Sequence, residues 1–266
     1  MDANCLLTGD CLDLLPSLPA GCADLVFADP PFNIGLDYPG HDDYQPVAEY
    51  LAGLQAVFRA VYRVLSPTGS LFVAIGPQYQ AEVCVMLKGL ALHWRNTIPW
   101  HYTFGPAQKR KFTPSWVAIH YFAADPRRFT FNLDAIRVPS ARQSVYRDKR
   151  ANPAGKTPDD VWLLRPQEDG RFFRPEMDAW HIPRVNGTFR ERRDHVCQMP
   201  LALLERIIKV SSNPGELVLD PFAGTATTLV AAKRLGRRYL GMEKCPKTAA
   251  LARCRLEREP EPLFPV

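Results

Sequence analysis

Residues 217–243 constrain the fold most. Leu217-Val218-Leu219 is a short apolar run with the look of a buried strand. It stops at Asp220-Pro221-Phe222-Ala223-Gly224-Thr225-Ala226-Thr227-Thr228, and Leu229–Leu235 continues as a helix of small and apolar residues. Gly236-Arg237-Arg238 turns the chain into a second strand, Tyr239-Leu240-Gly241-Met242, which ends at Glu243. A strand ending in an acid, a glycine that lets backbone approach a ligand, and a following helix describe a nucleotide-type site in an open α/β sheet. A second acid, 23 residues after Asp220, stands where such sites grip the two hydroxyls of a ribose. The loop has neither GxGxxG nor the Lys-Ser/Thr of a phosphate-binding loop. The expected ligand therefore has a ribose and no phosphate chain.

A second strand ends in a similar way. Leu25-Val26-Phe27-Ala28 runs into Asp29-Pro30-Pro31-Phe32. Two prolines supply no backbone N–H and fix their own φ, so the chain is stiff there and its carbonyls are left to accept hydrogen bonds. One carboxylate, one rigid carbonyl and one aromatic ring make a receptor for a planar group bearing an amine, such as adenine or cytosine. An ordinary strand followed by a Pro-Pro turn is the bland alternative for these four residues alone.

The rest of the chain fits an α/β pattern. Cys5-Leu6-Leu7 is a strand that runs through Thr8-Gly9 to Asp10, and a short helix follows from Cys11 to Leu18. Residues 33–43 are rich in turn formers and read as a loop that could close over the site. Tyr44–Leu65 steps in threes and fours, as an amphipathic helix does. Strands are expected at 70–75, 94–100 and 116–122, and helices at 78–90, 200–212 and 246–257.

Charge is unevenly spread. Residues 1–100 carry 4 basic and 10 acidic side chains, whereas residues 101–195 carry 18 and 11. Between 125 and 195 basic and aromatic residues mix without clear periodicity, which fits either a nucleic-acid contact region or an irregular insertion. The cationic candidates for DNA contact are Lys109, Arg110, Lys111, Arg142, Arg147, Lys149, Arg150 and Lys156. The seven cysteines form no CxxC pair and the six histidines no HxxxH pair, so reduced thiols and no metal site are expected. No signal peptide or membrane span is read from the sequence, and a cytoplasmic protein is the expectation.

Taken together, DPPF at 29–32, DPFAGTATT at 220–228 and GRRYLGME at 236–243 resemble the DNA amino-methyltransferases that use S-adenosylmethionine (AdoMet). Thr8-Gly9-Asp10 and the segment His195–Glu205 extend the resemblance across nearly the whole chain. The catalytic motif comes first and the cofactor motif last, the circularly permuted order of the β class. The resemblance implies a Rossmann-like α/β domain with a mostly parallel seven-stranded sheet, helices on both faces. It assigns 1–124 and 196–266 to catalysis and 125–195 to an inserted target-recognition region.

It further implies that Asp29 and the Pro30 carbonyl accept the target amine, and that Pro31 and Phe32 pack the base, with Phe32 stacked on it. Asp10, with Cys11 beside it, His195, Gln198, Asp220, Phe222, Gly224, Thr225 and Glu243 would surround the cofactor, Glu243 holding the ribose. Phe32 stands where tyrosine is commoner, and Val196 and Met199 stand where proline and lysine are often found. The implied substrate is double-stranded DNA, with adenine N6 favoured because Asp begins the tetrapeptide. Cytosine N4 is the alternative, and a catalytically dead DNA-binding relative a further one. A homodimer and a cognate restriction endonuclease are possible partners.

Overall fold

The computed structural model describes residues 3–38, 41–101, 108–163 and 199–260. In chain order the strands are β1 (Cys5–Thr8), β2 (Ala23–Ala28), β3 (Asp37–Tyr38), β4 (His41–Asp42), β5 (Leu65–Ile75), β6 (His93–His101), β7 (Trp116–Ala123), β8 (Trp162–Leu163), β9 (Leu217–Asp220) and β10 (Arg238–Glu243). The α-helices are α1 (Cys11–Leu14), α2 (Val47–Val64), α3 (Gln80–Lys88), α4 (Ala141–Ser144), α5 (Leu201–Ser211), α6 (Thr227–Arg234) and α7 (Pro246–Arg258).

All strands but β3 and β4 join one sheet in the order β1-β10-β9-β2-β5-β7-β6-β8. Neighbours from β1 to β5 are parallel, while β7 runs antiparallel to both β5 and β6. Seven of these strands make the expected sheet. The eighth, two-residue β8, adds to the outer edge of β6.

Alternation along the central strands builds two cores. Leu25 and Phe27 of β2 and Val218 of β9 pack with Leu203, Leu204 and Ile207 of α5, Leu229 of α6 and Ala249 of α7. Val26 and Ala28 of β2 and Leu219 of β9 point to the other face, against Leu54, Phe58 and Val61 of α2 and Val83 and Leu87 of α3. Both faces of the parallel strands are thus covered, which is why these strands read as continuous apolar runs.

The position of β1 explains the order of motifs. The β9–α6–β10–α7 succession ends the described chain, and the next place in the sheet is filled by the chain's first strand. Arg253 of α7 donates to the Leu6 carbonyl of β1 at 3.1 Å, tying the last helix to that strand.

Some boundaries differ from the sequence reading. β5 begins at Leu65, so Ser66-Pro67-Thr68-Gly69 lie within an irregular start to the strand: Ala23 pairs with Leu65, and regular pairing resumes at Leu25 with Ser70. α2 starts at Val47, behind Pro46. Residues 125–163 hold a 3-10 turn, α4 and β8, so this part of the insertion has more regular structure than its composition suggested. Trp162 of β8 is buried against the Arg206 guanidinium of α5, 5.0 Å from the ring centre, which fastens the segment to α5.

Candidate active site

Four acids end four adjacent strands at one edge of the sheet. Thr8 pairs with Glu243, Gly241 with Asp220, and Val26 with Leu219. Asp10, Glu243, Asp220 and Asp29 therefore stand in that spatial order at the C-terminal ends of β1, β10, β9 and β2. From β9 the chain crosses to β10 by α6 on one face; from β2 it crosses to β5 by α2 on the other. The crevice between β9 and β2 is thus a topological switch point, where open α/β sheets bind ligands. One cavity of about 330 Å³ runs along this edge and is lined by Asp10, Asp29, Phe32, Asp220, Gly224 and Glu243 among others. Its volume suits a small-molecule site.

The loop after β9 is shaped by its own backbone. Gly224 has φ +49°, a left-handed conformation that glycine adopts without penalty. Ala226 also has positive φ, +63°, at the start of α6, where its Cβ costs roughly 1–2 kcal/mol. Glu243 binds this loop directly. One carboxylate oxygen accepts the Gly224 N–H at 3.0 Å and the other the Cys245 N–H at 2.8 Å. Each oxygen keeps acceptor capacity, so Glu243 can brace the loop and also accept from two hydroxyls.

Asp220 is buried, accepting the Phe222 N–H at 2.9 Å. Burial pushes its carboxyl up to about 7, against the pull of that bond and one from Thr228. A cationic ligand nearby would relieve this cost. Thr225 is buried in the same loop, and Phe222 is half-buried.

Asp10 caps α1, its carboxylate accepting the Leu12 N–H at 3.0 Å, and pairs with Lys244 at 3.0 Å. Partial burial works against its ionisation, yet the Leu12 bond and the Lys244 ammonium hold its carboxyl below the usual range. Burial pushes the neighbouring Cys11 thiol up to about 12, so it stays protonated.

On the β2 side, Pro30 is buried while Asp29, Pro31 and Phe32 are half-buried in the cavity wall. The Tyr50 hydroxyl of α2 donates to the Pro31 carbonyl at 2.8 Å. The loop that follows is braced at its base. The buried Asp43 carboxylate accepts the N–H groups of Asn33, Ile34 and Leu36. Asn33 and Gln45 exchange two further bonds, at 2.7 and 3.0 Å. Neither Tyr50 nor Asp43 stands out in the sequence: one is an apolar-face helix residue, the other one acid among several in a turn-rich loop.

The candidate DNA contacts divide into two groups. Lys109, Arg110 and Lys111 are exposed between β6 and β7. Because β6 runs parallel to β2 and β7 returns, this loop lies at the same sheet edge as Asp29. Arg142 and Arg150 share Asp148, at 2.6 and 3.0 Å, and Lys156 pairs with Asp159 at 2.9 Å. Arg147 and Lys149 are exposed and make no ion pair among the described residues. His195 and Gln198 lie outside the described residues, as does 164–195 of the 125–195 region; Met199 lines the cavity. No described helix is long and apolar enough to cross a membrane.

Residues 23–253 match the family model described as DNA methylase, the N6/N4 methyltransferase type. The Type II methyltransferase M.HpaI of Haemophilus parainfluenzae is 33% identical over 255 residues, 96% of this chain and 74% of its own length. The DNA adenine methyltransferase YhdJ of Escherichia coli (strain K12) is 33% identical over 245 residues, 91% and 79% of the two chains. The Thermus thermophilus protein TTHA0409, solved in complex with S-adenosyl-L-methionine, superposes with a TM-score of 0.61 at 29% identity, covering 96% of this chain and 95% of its own.

Proposed function

This chain belongs to the N6/N4 DNA methylase family, and from that membership we propose how its residues divide the work and which base they act on. It is an AdoMet-dependent DNA methyltransferase. We assign it adenine N6 as the target. The observation that carries the assignment of roles is the single cavity shared by the Asp29–Phe32 turn and the Asp220–Thr225 loop. A reacting amine and a methyl donor bound there are held side by side.

AdoMet supplies a methyl group already activated on a sulfonium. The protein's task is therefore alignment. Asp29 and the Pro30 carbonyl accept the two N–H groups of the amine, which turns its lone pair toward the donor. On transfer the S–CH3 bond would break to leave a neutral thioether, the methylated amine would carry the positive charge and shed one proton, and the Asp29 carboxylate would be the acceptor for it. Phe32 stacks on the base and Pro31 packs its edge. Glu243 accepts from the ribose hydroxyls, while Asp220, Phe222, Gly224 and Thr225 line the rest of the cofactor site. Asp10 reaches the cofactor's adenine with the acceptor capacity that Leu12 and Lys244 leave. These acceptors lie inside a cavity, so the base must leave the duplex stack to meet them.

Adenine is supported by the aspartate at the head of the tetrapeptide and by the adenine specificity in the name of YhdJ. The exposed cations of the β6–β7 loop would hold the DNA backbone. The inserted region, 125–195, would choose the target sequence. Asp29→Ala tests the assignment: methyl transfer should be abolished, with AdoMet affinity by calorimetry within a few-fold of wild type. Loss of cofactor affinity by orders of magnitude in a folded variant would show that Asp29 serves the cofactor instead.

A further inference from the structure

The catalytic turn has two proline carbonyls, and the fold uses that of Pro31. The Pro31 carbonyl already accepts the Tyr50 hydroxyl at 2.8 Å. Tyr50 is 6% exposed and lies on the face of α2 that packs beneath the turn, its ring 5.1 Å from that of Tyr79. Burial raises the phenol far above its ordinary pKa, so it remains a donor. A buried hydroxyl has few ways to be satisfied, and a proline carbonyl has no N–H of its own residue in the ladder to fix it.

Phe32 is confined from a second side. A methyl group built on Gly76, just past β5, would sit 3.2 Å from Cδ2 of the Phe32 ring. Beyond Phe32, the Asp43 carboxylate holds the next N–H, that of Asn33, at 2.8 Å. The peptide groups on both sides of Phe32 are thus anchored by elements outside the turn, and the ring rests on a position with no side chain.

We propose that Tyr50 is a positioning residue for the target base: by holding the Pro31 carbonyl it fixes the turn, leaves the Pro30 carbonyl for the substrate amine, and sets the Phe32 ring. The inference rests on the assignment of Asp29–Phe32 to base binding. Tyr50 also lines the shared cavity, but the role assigned to its hydroxyl acts through the turn, by way of the Pro31 carbonyl. Its loss should therefore lower the rate of the aligned complex more than the binding of either substrate.

Tyr50→Phe removes the hydroxyl and keeps the ring. Tyr79→Phe is the matched control. The Tyr79 hydroxyl accepts from the Gln78 side chain at 2.9 Å and does not bond the turn. For Tyr50→Phe, kcat should fall at least tenfold, with KM for DNA and Kd for AdoMet within about twofold of wild type. Tyr79→Phe should leave kcat unchanged. In protein labelled with carbonyl-¹³C proline, the Pro31 resonance should move in Tyr50→Phe and stay in Tyr79→Phe. A kcat within twofold of wild type for Tyr50→Phe, an equal fall in both variants, or an unmoved Pro31 resonance would each overturn the proposal. A wild-type protein that transfers no methyl group to DNA would instead sink the function reading. The Pro31 resonance would then still decide whether Tyr50 fixes the turn.

Discussion

Glu243 should be worth more than a ligand contact, because it holds two elements together before any ligand arrives. Its carboxylate accepts the Gly224 N–H from the β9 loop and the Cys245 N–H at the start of α7. Hydrogen bonds to a charged acceptor contribute about 1.5–3 kcal/mol each. The site is half-open to water, so the lower end applies, and Glu243→Ala should cost roughly 3 kcal/mol in the ligand-free protein. That corresponds to a fall in Tm of about 5–10 °C for a chain of this size. The same change removes both acceptors proposed for the ribose hydroxyls and should raise Kd for AdoMet about ten- to a hundredfold. Glu243→Gln restores one acceptor and turns an amide N–H toward the other backbone donor, so it should lie between wild type and alanine in both respects. Urea unfolding of the ligand-free variants and calorimetric AdoMet titration read the two effects separately. An alanine variant with wild-type stability would refute the bracing role. One with reduced stability and unchanged Kd would reject Glu243 as the ribose anchor.

Two further outcomes concern charge. Burial raises Asp220 from an ordinary 3.8 to about 7, so the fold favours its protonated form. Its stabilising contribution is fully present below the unfolded value of 3.8 and is lost as pH rises through 7. The stability of wild type relative to Asp220→Asn should therefore drop by roughly 1 kcal/mol between pH 6 and pH 8, measured by denaturant unfolding without ligand. A cationic ligand beside the group pulls its pKa back down. AdoMet binding at pH 7 should then release part of a proton, seen as a dependence of the calorimetric enthalpy on buffer; an Asp220→Asn variant with the same dependence would contradict this. Replacing Lys109, Arg110 and Lys111 together with alanine should weaken binding to every duplex and flatten the salt dependence. If each contacts a phosphate, the slope of log K against log salt should shrink by about 2.7, and an unchanged slope would remove this loop from the DNA interface.

The parts of the fold legible in the sequence are those whose signal is local. β2, β9 and β10 are buried on both faces, so each reads as an unbroken apolar run ending on an acid. α2 reads from its spacing because Leu54, Phe58 and Val61 face one core. What was illegible depends on distant partners. Ser66-Pro67-Thr68-Gly69 has turn composition, yet pairing of Leu65 with Ala23 draws it into β5. Lys244 meets Asp10 only because the sheet lays β1, from the start of the chain, beside β10. The Leu12 N–H bond separately makes Asp10 a helix cap as well as a cavity acid. Tyr50 and Asp43 carry no local mark at all. The Tyr50 bond appears when α2 is folded beneath the turn, and those of Asp43 when the loop after the turn folds back on itself. The ion pairs of Arg142, Arg150 and Lys156 likewise hide in composition, where every cation counts alike.

The most direct test of the central claim is long-read, modification-sensitive sequencing of DNA from a host that expresses the protein. It reports the base, its position and the surrounding sequence together. N6-methyladenine at one recurring sequence, absent from a host expressing Asp29→Ala, is the expected result. Methylation at N4 of cytosine would contradict the adenine assignment, and DNA with no new methylated base would contradict the proposed activity.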